Sequence, residues 1–128
     1  MNLICILKES KFKRKGIFIM NNNEMIQRKI DTGNLLHING KILRTLNVIS
    51  ESRCRLSSLE YSFGDIEHDS FVNSVRYLNM SGYVELKDYW TKKTISFKES
   101  KFDDTEISLT AKGIRVLCGV LEDECVEV

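Results

Sequence analysis

The sequence contains no proline, although average usage of about 5% would put roughly six in a chain of this length. A rigid proline-rich linker and a PxxP-type ligand are therefore excluded. Its four cysteines, Cys5, Cys54, Cys118 and Cys125, include no CxxC pair and have no neighbouring histidine pair, so the spacing of a structural zinc site is missing. Cys54 and Cys118 lie among apolar residues and read as reduced core thiols, which suits a cytoplasmic protein. The two histidines, His37 and His68, belong to no nucleophile or metal pattern, and the glycines fit neither GxxxxGK[ST] nor GxGxxG. No catalytic residue, metal site or cofactor is expected, and the chain does not read as an enzyme. Leu3 to Leu7, the apolar run nearest the start, is far short of the roughly 20 residues that cross a bilayer. Its lysines follow it instead of preceding it, so neither a membrane span nor a secretion signal is expected.

What is present is ordinary for one folded domain. Hydrophobic residues are 42% and charged residues 29% of 128, enough for a core and inconsistent with wholesale disorder. The net charge of +1 conceals an asymmetry. Residues 1–50 carry nine Lys/Arg against three Asp/Glu, and residues 51–128 carry ten against fifteen.

In the N-terminal region, residues 1–37 read as an extension. Two apolar runs flank the basic cluster Lys8, Lys11, Lys13, Arg14 and Lys15, and three readings stay open: a hairpin, a phosphate-touching basic arm, or extra sequence ahead of a start at Met20. Asn21 to Asn23 supply helix-capping chemistry for a short helix over 24–30, ending near Asp31-Thr32-Gly33. A stronger helix is predicted over 38–51, where Ile38, Ile42, Leu46 and Ile49 recur on one face with Leu43.

Residues 56–84 organise the rest. Ser57 and Glu60 have capping-box spacing, Leu59, Phe63 and Ile66 point inward, and Gly64 permits a sharp turn. The next helix is predicted over 70–79, with Phe71, Val75 and Leu78 on one side and Asp69, Ser70, Asn73, Arg76 and Tyr77 on the other. Gly82 ends it, and 83–87 alternate as a strand. Further strands are predicted over 94–97 and 106–109. Thr110 then caps a last helix with the apolar stripe Ile114, Leu117, Cys118 and Leu121. Residues 122–128 form an acidic tail. Trp90, beside Tyr89 and Lys92-Lys93, either stacks on a base, anchors a partner protein or packs the following loop against the body.

Over residues 38–121 this order resembles the winged-helix family, in particular small bacterial and phage members. The resemblance rests on three pieces: the helix Leu56 to Phe63, the phrase Val75 to Val84 with its Leu-x-x-x-Gly-aromatic-aliphatic close, and Ile107-Ser-Leu-Thr-Ala-Lys-Gly113. It implies an α+β fold, a winged helix-turn-helix with a small antiparallel sheet and a C-terminal helix. The implied function is a sequence-specific, double-stranded DNA-binding transcriptional regulator with its second motif helix in the major groove. Asn73 and Arg76 would read bases, while Ser70 and Tyr77 would touch phosphate. Lys92 and Lys93 would join them if 90–94 form a turn.

The charge of the motif opposes this reading. Residues 56–84 hold Glu60, Asp65, Glu67 and Asp69 against Arg76 alone. Phosphate neutralisation must then come from Lys41, Arg44, Arg53, Arg55, the N-terminal lysines, or a homodimer formed through the last helix. The alternative function is a winged-helix protein-interaction module that binds no nucleic acid.

Overall fold

A computed structural model describes residues 21–128; the open readings of residues 1–20 lie outside the described residues. The first element, α1, spans Asn22–Val48. Asn21 accepts from the Glu24 backbone N–H at 2.8 Å, and Glu24 accepts from the Asn21 N–H at 3.2 Å, a reciprocal capping box that consumes two orphan donors. The expected separate helices over 24–30 and 38–51 are one helix. Asp31, Thr32 and Gly33 are poor helix formers, but together they cost only about 2 kcal/mol, and no proline stands there to break the backbone ladder. The second half of α1 buries Ile38, Ile42, Leu43 and Leu46 as the periodicity requires.

The helix stops at Val48, three residues before the expected end. Ile49 is extended, and Glu51 and Ser52 take positive φ values of 63° and 54°, which no helix continues through. The chain then enters β1, Arg53–Arg55, a strand that was not among those predicted. Three residues reading Arg-Cys-Arg carry no alternating apolar signal. They form a strand because the Thr105–Leu109 strand lies alongside to accept them.

Helix α2 follows directly at Leu56–Phe63. Its cap position is Arg55, two residues earlier than Ser57, so the Ser57–Glu60 capping box does not form, and Glu60 turns to His68 instead, 2.8 Å from Nδ1. Leu56, Leu59 and Phe63 are buried and Ile66 is half-buried. Gly64, at φ 77°, makes the turn that a residue with a Cβ resists. Helix α3, His68–Met80, buries Phe71, Val75 and Leu78 as predicted, and Ser74 with them.

The sheet has the order β1-β3-β2 and is antiparallel throughout, with β2 at Val84–Asp88 and β3 at Thr105–Leu109. Residues 94–97 do not form the expected strand. Thr94 makes one bridge to Lys87, after which Ser96 and Glu99 cap a single tight turn at Phe97–Glu99. The three-stranded sheet is thus built with Arg53–Arg55 in place of 94–97.

Helix α4, Ala111–Leu117, is capped by Thr110, whose hydroxyl accepts from the Gly113 N–H at 3.1 Å. It ends before the predicted stripe is complete. Gly113 and Val116 are buried, Leu117 and Leu121 are half-buried, and Ile114 and Cys118 are exposed. Cys118 is therefore a free surface thiol and not a core residue, whereas the free thiol of Cys54 is half-buried.

The acidic tail folds back onto the body. Cys125 and Val126 are buried, Asn39 Nδ2 donates to the Cys125 carbonyl at 2.7 Å, and the Glu127 N–H donates to the Leu36 carbonyl at 3.1 Å. Gly40 makes this approach possible: a Cβ there would lie 1.7 Å from the Glu127 carbonyl oxygen. The architecture is α+β, four helices and one small antiparallel sheet among the described residues. No helix among them is long and apolar enough to cross a membrane.

Candidate nucleic-acid interface

Two polar surfaces come forward, the outer side of α3 and the outer side of the sheet. On α3, Asn73 and Arg76 are exposed one turn apart, and Arg76 Nη2 donates to Asn73 Oδ1 at 3.1 Å. Ser70 is half-buried. With Asn73 it lines a cleft of about 210 Å³ together with Asn34 and Leu35 of α1 and the acids Glu67 and Asp69. The N-terminal half of α3's polar face is thus bordered by two carboxylates and by α1.

Tyr77 does not belong to this open face. Its hydroxyl donates to Asp123 Oδ2 at 2.6 Å, and the Tyr83 hydroxyl donates to the same oxygen. Burial first, and then the hydrogen bond to Asp123, push the Tyr77 phenol up to about 12; the same causes raise that of Tyr83. The predicted phosphate contact is instead a tie between α3 and the tail. Helical spacing put Tyr77 on the polar side correctly, but it carried no information about what covers that side.

The two lysine and arginine positions expected on α1 also serve the fold. Lys41 places its ammonium 4.9 Å from the Phe63 ring centroid, and Arg44 Nη1 donates to the Glu127 carbonyl at 2.7 Å. Arg53 pairs with Glu51. None of these contacts is with α3's outer face.

On the sheet, alternation along the strands puts Arg53 and Arg55 of β1, Glu106 and Ser108 of β3, and Glu85 and Lys87 of β2 on one side. The register aligns Arg55, Glu106 and Lys87 in one row across the three strands. Just beyond β2 the chain turns at 89–93, as expected for Lys92 and Lys93. Asp88 holds the turn by accepting from the Thr91 and Trp90 backbone N–H groups at 2.8 and 3.0 Å. Those bonds, that from Thr91 first, lower the Asp88 pKa.

The turn brings aromatic rings against the cations. The Arg55 guanidinium lies 3.7 Å from the Tyr89 ring centroid and 5.5 Å from that of Trp90. Lys92 Nζ sits 4.3 Å from the Tyr89 centroid and 3.6 Å from Glu106 Oε2. Lys93 is exposed, and Trp90 is 69% exposed, its indole N–H donating to Asp104 Oδ1 at 3.1 Å. The other carboxylate oxygen of Glu106, Oε1, is buried without a hydrogen-bond partner. The Glu106 charge and, more strongly, burial raise the Cys54 thiol pKa.

A polarised cation on a ring face, next to an open indole, suits stacking on a base and contact with phosphate. Arg55 was expected only as one of several sources of charge outside the motif and Tyr89 only as a neighbour of Trp90; their stacking was not expected. They stand 34 positions apart in the sequence and meet only because β1 and β2 both pair with β3 in one sheet. No local spacing carries that signal.

His68 begins α3, its ring edge-on to Phe102 at 5.0 Å, and His37 Nδ1 lies 3.2 Å from Glu127 Oε1. Among the described residues no cluster of three or more His, Cys, Asp or Glu is arranged to hold a metal ion. Compared with known proteins, the chain matches no family model, no curated protein and no solved structure.

Proposed function

We propose that this chain is a winged helix-turn-helix module that binds double-stranded DNA, gripping the backbone mainly through the outer face of its sheet and the turn after β2. The observation that carries the reading is the cation-and-aromatic ridge of Arg55, Tyr89, Trp90, Lys92 and Lys93. It supplies a cluster of cations, two of them held over an aromatic ring, for phosphate contact that α3 lacks. Asn73 and Arg76 remain the side chains available on α3 for base contact. Regulation of transcription follows from this reading only if those two residues discriminate sequences.

Homodimerisation through the C-terminal segment is part of the same proposal. Ile114 and Val120 are 43% and 76% exposed, and a second copy would double the basic ridge. A single-copy mass by light scattering at micromolar concentration contradicts this part alone.

The direct test is retention of mixed-sequence duplex DNA across a salt series. Binding at about 50 mM salt that weakens steeply toward about 200 mM is expected for phosphate neutralisation. Absence of binding at the lower salt contradicts the proposal. The second reading, a protein-interaction module without nucleic acid, is favoured by the cleft between α1 and α3 edged by Glu67 and Asp69, a surface suited to a basic peptide. It is supported if DNA is not retained and a lysine-rich peptide shifts the amide resonances of residues 67–73.

A further inference from the structure

We propose that the cavity between α3 and the 97–102 loop binds a small apolar monocarboxylate. The cavity measures about 360 Å³, within the range of small-molecule sites. Phe71 forms its floor, and Val72, Phe97 and Phe102 form walls, so the space favours a hydrocarbon body. Its polar lining includes Lys98 and His68 but no aspartate or glutamate.

Lys98 selects the chemistry of the occupant. Its side chain makes no ion pair among the described residues, although it borders an apolar space. Lys98 is exposed at the edge of that space, where it can meet the charged end of an occupant whose hydrocarbon body lies inside, and a single cation matches the single charge of a carboxylate. Glu60, which holds His68 Nδ1 at 2.8 Å, is not part of the lining and fixes the imidazole from outside. The ligand would touch α3 through Val72 and the loop through Phe97, Lys98 and Phe102. It would thereby fasten the two together. The proposal does not rest on the DNA reading.

The test titrates 4-phenylbutyrate and 4-phenylbutanol into the full chain, followed by amide NMR. A ligand of this size reaches a Kd of about 1 mM at ordinary ligand efficiency. The acid is expected to shift residues 68–75 and 96–102 saturably and to bind about tenfold more tightly than the alcohol. Lys98→Met should bring the acid down to the affinity of the alcohol, and Val72→Trp should fill the cavity and abolish both. No saturable shift by the acid at about 10 mM overturns the proposal. Equal affinity of acid and alcohol, or undiminished acid binding by Lys98→Met, overturns it as well. Lys98 is exposed, so its variant folds and keeps the test decisive even if Val72→Trp does not.

Discussion

The outer face of α3 and the outer face of the sheet differ in how their charged groups are gathered and in how they are held. On α3, two exposed side chains, Asn73 and Arg76, bond to each other, acids border one end, and the tail ties down Tyr77. On the sheet, Arg55 and Lys92 are held over aromatic rings with Trp90 open beside them. A helix face inherits its charge from one stretch of sequence. A sheet face collects its charge from strands that are far apart in the chain. The cation-and-aromatic ridge of this molecule is therefore a product of topology, whereas α3 carries one acid and one base, Asp69 and Arg76, with Glu67 just ahead of it.

Three perturbations sharpen that contrast. The largest effect is expected from Gly40→Ala, because its Cβ would overlap the Glu127 carbonyl and force the tail off α1. Overpacking of this kind, with loss of the Arg44 and Asn39 bonds and of Val126 burial, should cost about 2–4 kcal/mol in urea unfolding. A cost under about 0.5 kcal/mol, the level of an ordinary surface change, would show that the docked tail is not part of the folded unit.

An intermediate effect is expected from the tyrosine pair. Tyr77→Phe removes a hydrogen bond to a carboxylate and should cost about 1–2 kcal/mol near neutral pH. The tyrosine pKa is raised in the fold from its ordinary 10 to about 12. Its contribution is thus fully present below pH 10 and falls as pH climbs from 10 to about 12, because only the unfolded phenol ionises readily in that window. Ultraviolet titration should show delayed phenolate formation, and Tyr77→Phe should reduce the loss of stability between pH 10 and 12. An unchanged alkaline profile contradicts the Asp123 tie.

The smallest effect is expected from Glu67→Gln with Asp69→Asn. These changes remove the acids beside Ser70 and Asn73 and also charges that favour a helix N-terminus, so stability should fall by about 0.5–1 kcal/mol. Duplex affinity should change by less than about threefold if the ridge provides the grip, since the phosphates are then held elsewhere. A gain of more than about tenfold at low salt would return α3 to the centre of the interface.

The features legible in the sequence are those set by near neighbours. Asn21 and Thr110 cap helices where their side chains and positions require it, and Phe71, Val75 and Leu78 reach the core at helical spacing. Asn73 and Arg76 are exposed for the same reason. What local pattern missed depends on partners distant in sequence. Arg53–Arg55 becomes a strand only beside Thr105–Leu109, and the charged tail becomes structural only because Gly40 leaves room for it. The expected strand over 94–97 had the right residue types but made only one bridge. Of the candidate site, Lys92 and Lys93 were legible as a turn, whereas the Arg55 stack on Tyr89 was not, since cross-sheet packing has no signature along the chain.

The central claim of the proposed DNA reading is that the sheet and its turn, and not α3, hold the phosphates, and the salt dependence of duplex binding tests it most directly. Arg55→Ala with Lys92→Ala and Lys93→Ala should lower the slope of log affinity against log salt by about 2–3, roughly one for each phosphate no longer neutralised. Arg76→Ala should leave the slope within about 1 of the wild type. The opposite pattern, a slope unchanged by the triple substitution and reduced by Arg76→Ala, would contradict the claim that the sheet and its turn hold the DNA.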